Sequence, residues 1–398
     1  MYDGHLQQSQ PIKTNRIQSD LKGINQLAEE GIVGLVDLVE SMHQRILSLG
    51  GLLNLGDLNQ TTGLTRFIYQ TIRNTTQLSI KGIDFALSKF SPTLPRFENS
   101  KQRQQWLAMI NGVLGDHLTA SNNPLALDMT WHYQGTAMSP KQVAQMCCEQ
   151  EGQPLILIHG LCMNDQLWKR HGHDHGIELQ KSNNMIPIYL RYNSGLAVYQ
   201  NGLKLAHMLE QFFSALPPEK FCNVLCHSMG GLVMRSAMHV ADECSHPWLE
   251  KISKAVFLGT PHQGAVLEKT GNLIDYIISI NPYSAPLTKL VKIRSHGIKN
   301  LRHGTVTKDH QTIQLPSHVD CYAIAASTKD LGMGDAHHLH LKWIGDGLVS
   351  VDSALGGHKH PEREVLFKAE NKTTFENVSH MSLLSNKKVF KRLQEIFS

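Results

Sequence analysis

Apolar positions follow two rhythms along the chain, and the change falls near residue 120. In "GINQLAEEGIVGLVDLVESMHQRILSL" (23–49), Ile24, Ile32, Leu35, Val39, Met42, Ile46 and Leu49 are spaced by threes and fours or their sums. That spacing places one apolar stripe along a helix. "GLTRFIYQTIRNTTQLSIKGIDFAL" (63–87) repeats it with Leu64, Ile68, Ile72, Ile80, Ile83 and Leu87. Trp106, Leu107, Ile110, Val113 and Leu114 predict a third, shorter helix. Turn residues separate the pieces, and no strand is expected before residue 120.

From about Ser121 short apolar runs alternate with helical segments. The runs at 154–160, 185–193, 220–227, 254–261, 319–327 and 364–370 read as strands. Several are apolar throughout, as strands covered on both faces must be. Helices fit at "AVYQNGLKLAHMLEQFFSAL", "GGLVMRSAMHVAD" and "NKKVFKRLQEIF". Strand and helix in alternation predict a mostly parallel sheet with helices on both faces. The expected organisation is a helical region over 1–120 and an α/β domain over 121–398.

Composition narrows the function classes. The chain has 398 residues and a net charge of +4, with no Lys/Arg block of the kind that binds nucleic acid. The first fifteen residues are polar and lack the apolar core of a secretory signal. The longest apolar runs are too short to span a bilayer. Seven scattered cysteines do not form a disulfide framework. The expectation is a reduced, cytoplasmic protein, with peripheral membrane contact left open.

The candidate chemistry centres on "NVLCHSMGGLV". An apolar strand ends in Cys226-His227-Ser228-Met229-Gly230, and a helical pattern follows at once. A serine nucleophile on a strand-to-helix elbow needs small flanking residues, usually Gly-x-Ser-x-Gly. Here Cys226 stands at the first glycine position. A serine hydroxyl reacts once a histidine takes its proton and a carboxylate orients that histidine. With the elbow at Ser228, the acid follows a later strand and the base comes last. Asp346 in "WIGDGLVSVD" is the expected acid and Asp352 its rival. His380 in "NVSHMSLLSN" is the expected base; His159, His227 and His262 all precede the acid. The oxyanion needs two backbone N–H groups. Met229 supplies one, and Leu161 the other, or Cys162 if the turn is displaced by one residue.

Together "LIHG", "CHSMGG", "GTPHQG", "GDGLVSVDSA" and "SHMSLL" resemble, in order, the lipase branch of the α/β-hydrolases. "GTPHQG" is similar to bacterial lipases and to the GPI inositol-deacylase group. The chain as a whole is similar to proteobacterial hydrolases with a helical N-terminal extension. The resemblance covers roughly residues 154–384. It implies the α/β-hydrolase fold and hydrolysis of carboxylic esters through an acyl-enzyme, without a cofactor, on an ester substrate that can be lipid-like. Some such lipases hold calcium through an aspartate after the catalytic histidine. Met381 and Ser382 follow His380 here, so no calcium is expected. Two rival readings stand beside hydrolysis: acyl transfer or thioester cleavage on the same triad, and a helical interaction module on an inactive hydrolase fold.

Other segments carry weaker signals. His171, His173 and His175, and His337, His338 and His340, are dense enough for zinc, but no cysteine lies at ligand spacing beside them, so no metal is expected. Residues 270–293 form an insertion that either caps the pocket or packs as an ordinary helix. The N-terminal stripes bear mixed charges on their polar faces, and docking on the catalytic domain is expected.

Overall fold

The computed structural model describes residues 19–20, 22–23, 26–27, 101–265, 295–328 and 345–398. Two compact units divide the chain: residues 1–103 with 122–125, and residues 104–121 with 126–398. In the smaller unit the described residues before 101 are helical, Leu27 is fully buried, and Arg103 pairs with Asp20 at 2.6 Å. The two long N-terminal stripes lie outside the described residues, apart from Gly23, Gln26 and Leu27.

The larger unit is built on eight strands, in the order β2-β1-β4-β3-β5-β6-β7-β8. They are β1 (Thr130–Tyr133), β2 (Thr136–Met138), β3 (Gln153–Ile158), β4 (Met185–Arg191), β5 (Cys222–His227), β6 (Ile252–Leu258), β7 (Asp320–Ser327) and β8 (Lys372–Glu376). From β4 to β8 every neighbouring pair is parallel. β1 runs antiparallel to both β2 and β4. β5 is buried at every position, and β3 at every position but its first. Strands covered on both faces explain why these runs read as uninterrupted apolar stretches.

The chain leaves β3 toward β4 on one side, and leaves β5 toward β6 on the other. The carboxyl ends of β3 and β5 therefore flank a switch point, where no crossover covers the sheet edge and a crevice forms.

Eight helices among the described residues complete the picture. The first, α1 (Lys101–Ala120), precedes the sheet. Next come α2 (Pro140–Glu149), α3 (His175–Asn183), α4 (Val198–Phe213) and α5 (Met229–Glu243). After β6 follows α6 (His296–His303); the one-turn α7 (Val351–Ala354) and the C-terminal α8 (Lys387–Ile396) end the chain.

One strand expectation needs correction. The run 364–370 is not a strand; the last strand is Lys372–Glu376, "KTTFE". It lies at the sheet edge and is half-exposed, so it has no reason to be apolar. In 364–370 only Val365 is buried, bonding back to Gly356, while Leu366 is 67% exposed. The β1–β2 hairpin carried no alternation strong enough to register. Its signal is the turn: Gln134 and Gly135 both have positive φ, as a two-residue primed turn requires.

The boundary expected at 120/121 falls at the end of α1. Residues 104–121 group with the sheet, not with the N-terminal region. Close approach makes α1 part of the larger unit. Gly112 lies against Cys162, and a side chain there would meet its Sγ. Asn193 Nδ2 donates to Gly115 O at 2.9 Å, and Ser295 Oγ donates to Gly112 O at 2.7 Å. An apolar stripe shows that a helix is covered, but not by which neighbour.

Candidate active site

Ser228 occupies the turn between β5 and α5 with φ 54° and ψ −126°, a conformation that non-glycine residues rarely adopt. Its N–H donates to Leu258 O of β6 at 2.9 Å, which pins the turn to the next strand. Gly230 has backbone oxygens of Ile158 and His159 where a side chain would be. This glycine lets the first turn of α5 rest on the end of β3. As the first residue of α5, Met229 has an N–H with no acceptor within its own helix. Ser228 is fully buried, and its Oγ has no hydrogen-bond partner among the described residues.

The loop after β3 turns sharply. Met163 N–H bonds Gly160 O at 3.3 Å, and Cys162 has φ 58°. Cys162 N–H donates to Ser194 Oγ at 2.9 Å. Of the two expected second donors, Cys162 is therefore committed to the protein. His159 stacks on Tyr192 at 4.3 Å, with Nδ1 2.8 Å from Gly160 O. Burial lowers its pKa to about 4, so the ring stays neutral and structural.

Asp346 lies in a tight turn between Gly345 and Gly347; Gly347 has φ 100°, and a side chain on Gly345 would meet Val349 O. One carboxylate oxygen accepts from Leu348 N–H at 3.0 Å and Val349 N–H at 2.8 Å. The other lies 2.6 Å from His380 Nδ1. His380 N–H also donates to Asp346 O at 2.9 Å, so backbone and side chain both tie the two residues. Both side chains are buried, at 4% and 1% exposure. A carboxylate only accepts, which puts the imidazole proton on Nδ1 and the basic lone pair on Nε2. Asp352, the rival acid, sits in α7 and caps no imidazole; its backbone oxygen accepts from Gly357 N–H.

Ser228 reaches this pair through its neighbours. His227 Nε2 is 3.3 Å from His380 O, and the two rings lie 4.9 Å apart. Burial, then the nearby His380, hold the His227 pKa well below the usual value. Gly259, with φ 57°, follows β6. A Cβ there would lie 3.1 Å from His380 Cε1 and 3.2 Å from Asp346 Oδ2. The elbow, the loop after β6, Asp346 and His380 thus meet at the carboxyl ends of the parallel strands.

Sequence reasoning missed three supports of this arrangement. His175 Nε2 lies 2.8 Å from Leu383 O, in the same turn as His380. His227 and His175 are two buried, neutral imidazoles that fasten that turn by its carbonyls. Ser194 holds the Cys162 turn. The dense histidine pattern around residue 173 was the trace of this packing: His173 Nε2 meets His175 Nδ1 at 2.8 Å, and both rings contact Phe390. Among the described residues no three His, Cys, Asp or Glu side chains gather as a metal ion requires. His337, His338 and His340, and the insertion at 270–293, lie outside those residues.

A mostly parallel sheet with a serine on a strained strand-to-helix elbow is the α/β-hydrolase fold. Residues 198–358 match the family model of the PGAP1-like alpha/beta domain. No curated protein matches the chain in sequence at a significant level. Among solved structures it is similar to the mature Bacillus licheniformis lipase BlEst2. The identity is 17% and the TM-score 0.42, over 62% of this chain and 92% of that one. Aspergillus fumigatus lipase B is 13% identical, with TM-score 0.36, over 66% of this chain and 54% of that one. The naproxen esterase of Bacillus subtilis is 12% identical, with TM-score 0.37, over 62% and 84%.

Proposed function

We propose that the chain is a serine hydrolase of carboxylic esters. The supporting observation is the 2.6 Å contact of Asp346 with His380 Nδ1, held beside a serine on a positive-φ elbow. Ser228 Oγ attacks the ester carbonyl while His380 Nε2 takes its proton. The resulting oxyanion is met by the N–H groups of Met229 and Leu161. His380 then protonates the leaving alcohol, and the acyl group remains on Ser228. Water, deprotonated by the same Nε2, releases the acid and regenerates the serine. Asp346 keeps the proton on Nδ1 and stabilises the imidazolium that forms in each half-reaction.

A fluorophosphonate probe and a chain-length series of p-nitrophenyl esters test this reading. The expected result is stoichiometric labelling and ester turnover in the native chain. Ser228→Ala loses both, with a fall of several orders of magnitude in kcat and an unchanged melting temperature. Turnover in folded Ser228→Ala equal to the native chain overturns the assignment. Adding alcohols to the assay reads whether water or an alcohol is the preferred acyl acceptor.

A further inference from the structure

A cavity of about 410 Å³ opens where α5, the loop after β6, the end of α6 and the 358–365 segment meet. It includes none of Ser228, Asp346 or His380. Arg235, Arg302 and Arg363 line it together with His262, His303 and His358, and no Asp or Glu does among the described residues. None of the three arginines forms an ion pair among the described residues.

The floor is the informative part. Arg235 is 4% exposed, on the elbow helix two turns from Ser228. One guanidinium nitrogen donates to Ile313 O at 2.7 Å. Another makes only two long contacts, at 3.5 Å, with His262 O and His262 Nδ1. Its Nε has no partner among the described residues. Burial lowers the Arg235 pKa to about 10, the direction expected of a cation taken from water without a counter-charge. His262 is 2% exposed and faces the same cavity. Arg235 can only donate, so His262 Nδ1 must accept, and the imidazole proton sits on Nε2. That N–H also lacks a partner among the described residues. A buried cation and a buried donor, both under-satisfied, are costly unless something supplies acceptors and negative charge. Arg302 and Arg363 add two forks nearer the rim, the geometry that grips tetrahedral oxyanions in a bidentate manner.

We propose that this cavity is a binding site for a phosphate-type dianion, either free phosphate or the phosphate of a larger molecule such as a lipid headgroup. Arg235 and His262 form its floor, and Arg302 and Arg363 its rim. The site is separate from the ester-cleaving residues and does not depend on the proposed reaction.

The test is made on the full chain by calorimetry and thermal shift with inorganic phosphate, against chloride at matched ionic strength. Saturable binding and a raised melting temperature in phosphate alone are expected. The rim double variant R302E/R363E, which leaves the buried floor intact, is expected to weaken phosphate binding about tenfold or more. Arg235→Met removes binding as well, but the rim variant carries the test if that chain does not fold. Vesicles of phosphatidylcholine with and without phosphatidic acid distinguish the source. Co-sedimentation that needs both phosphatidic acid and the rim arginines identifies a headgroup; phosphate binding without co-sedimentation identifies a soluble ligand. No difference between phosphate and chloride, or equal binding by R302E/R363E, overturns the proposal.

Discussion

Cys162 donates its N–H to Ser194 Oγ across 2.9 Å, joining the loop after β3 to the loop after β4. Cys162 is held at φ 58°, and Gly112 of α1 abuts its side chain from the other side. The turn is therefore clamped between a hydroxyl and a helix. Leu161, the proposed second oxyanion donor, is the residue immediately before the clamp.

Ser194→Ala removes the acceptor and lets the turn relax. If Leu161 donates to the oxyanion, kcat for p-nitrophenyl esters falls about tenfold with KM little changed. Displacing a donor costs less than deleting one, which costs 10²–10³. A changed KM at constant kcat would place Ser194 in substrate binding instead.

Asp346→Asn keeps the side-chain volume but puts a donor opposite His380 Nδ1, favouring the wrong tautomer. A loss of up to about 10⁴ in kcat is expected. Asp352→Asn, in α7 and away from His380, should change kcat less than about threefold by the same reasoning. Steady-state kinetics on the two variants checks the choice of acid, and the reverse ranking would reject it.

Acid should unfold the protein early. Burial lowers the pKa of His159 to about 4 and of His175 to about 3. Both imidazoles are neutral in the folded chain, whereas the unfolded chain binds their protons near the ordinary value of about 6.5. The unfolded state thus binds more protons below that value, and stability rises with pH there. It is complete above about pH 6.5 and is lost as pH falls toward 4 and then 3. Urea midpoints at pH 7.5 and pH 5 measure this, with the lower midpoint expected at pH 5; equal midpoints would contradict the neutral, buried imidazoles.

Removing α1 should destabilise the larger unit. A chain starting at Lys101 retains the helix that covers Cys162 and bonds Asn193 and Ser295. A chain starting at Ser121 loses it and leaves those loops uncovered. Differential scanning calorimetry should give a cooperative transition for the first and a broad or absent one for the second. Equal transitions would show that α1 is dispensable.

Much of the fold was legible because burial on both faces leaves a strong trace. β3 to β7 appeared as mainly apolar runs, and the elbow appeared as small residues where a strand becomes a helix. Ser228 could be singled out for that reason, since only small neighbours permit its φ of 54°. Asp346 and His380 were named from chain order and from the glycines flanking the aspartate. Edge elements left weaker traces. β8 is half-exposed and polar, and the apolar 364–370 run drew the strand assignment away from it.

Sequence by itself determined which residues are covered and which backbone turns are tight, because burial and φ preference act on each position locally. Tertiary structure alone decided who covers whom. It assigned α1 to the sheet through Gly112 and Gly115, and it gave Cys162 N–H to Ser194. It turned His175 and His227 from surplus imidazoles into anchors of the His380 turn. It also gathered Arg235, Arg302 and Arg363 around one cavity. Those pairings join residues far apart in the chain, and no local pattern of hydrophobicity or charge records a partner at that distance.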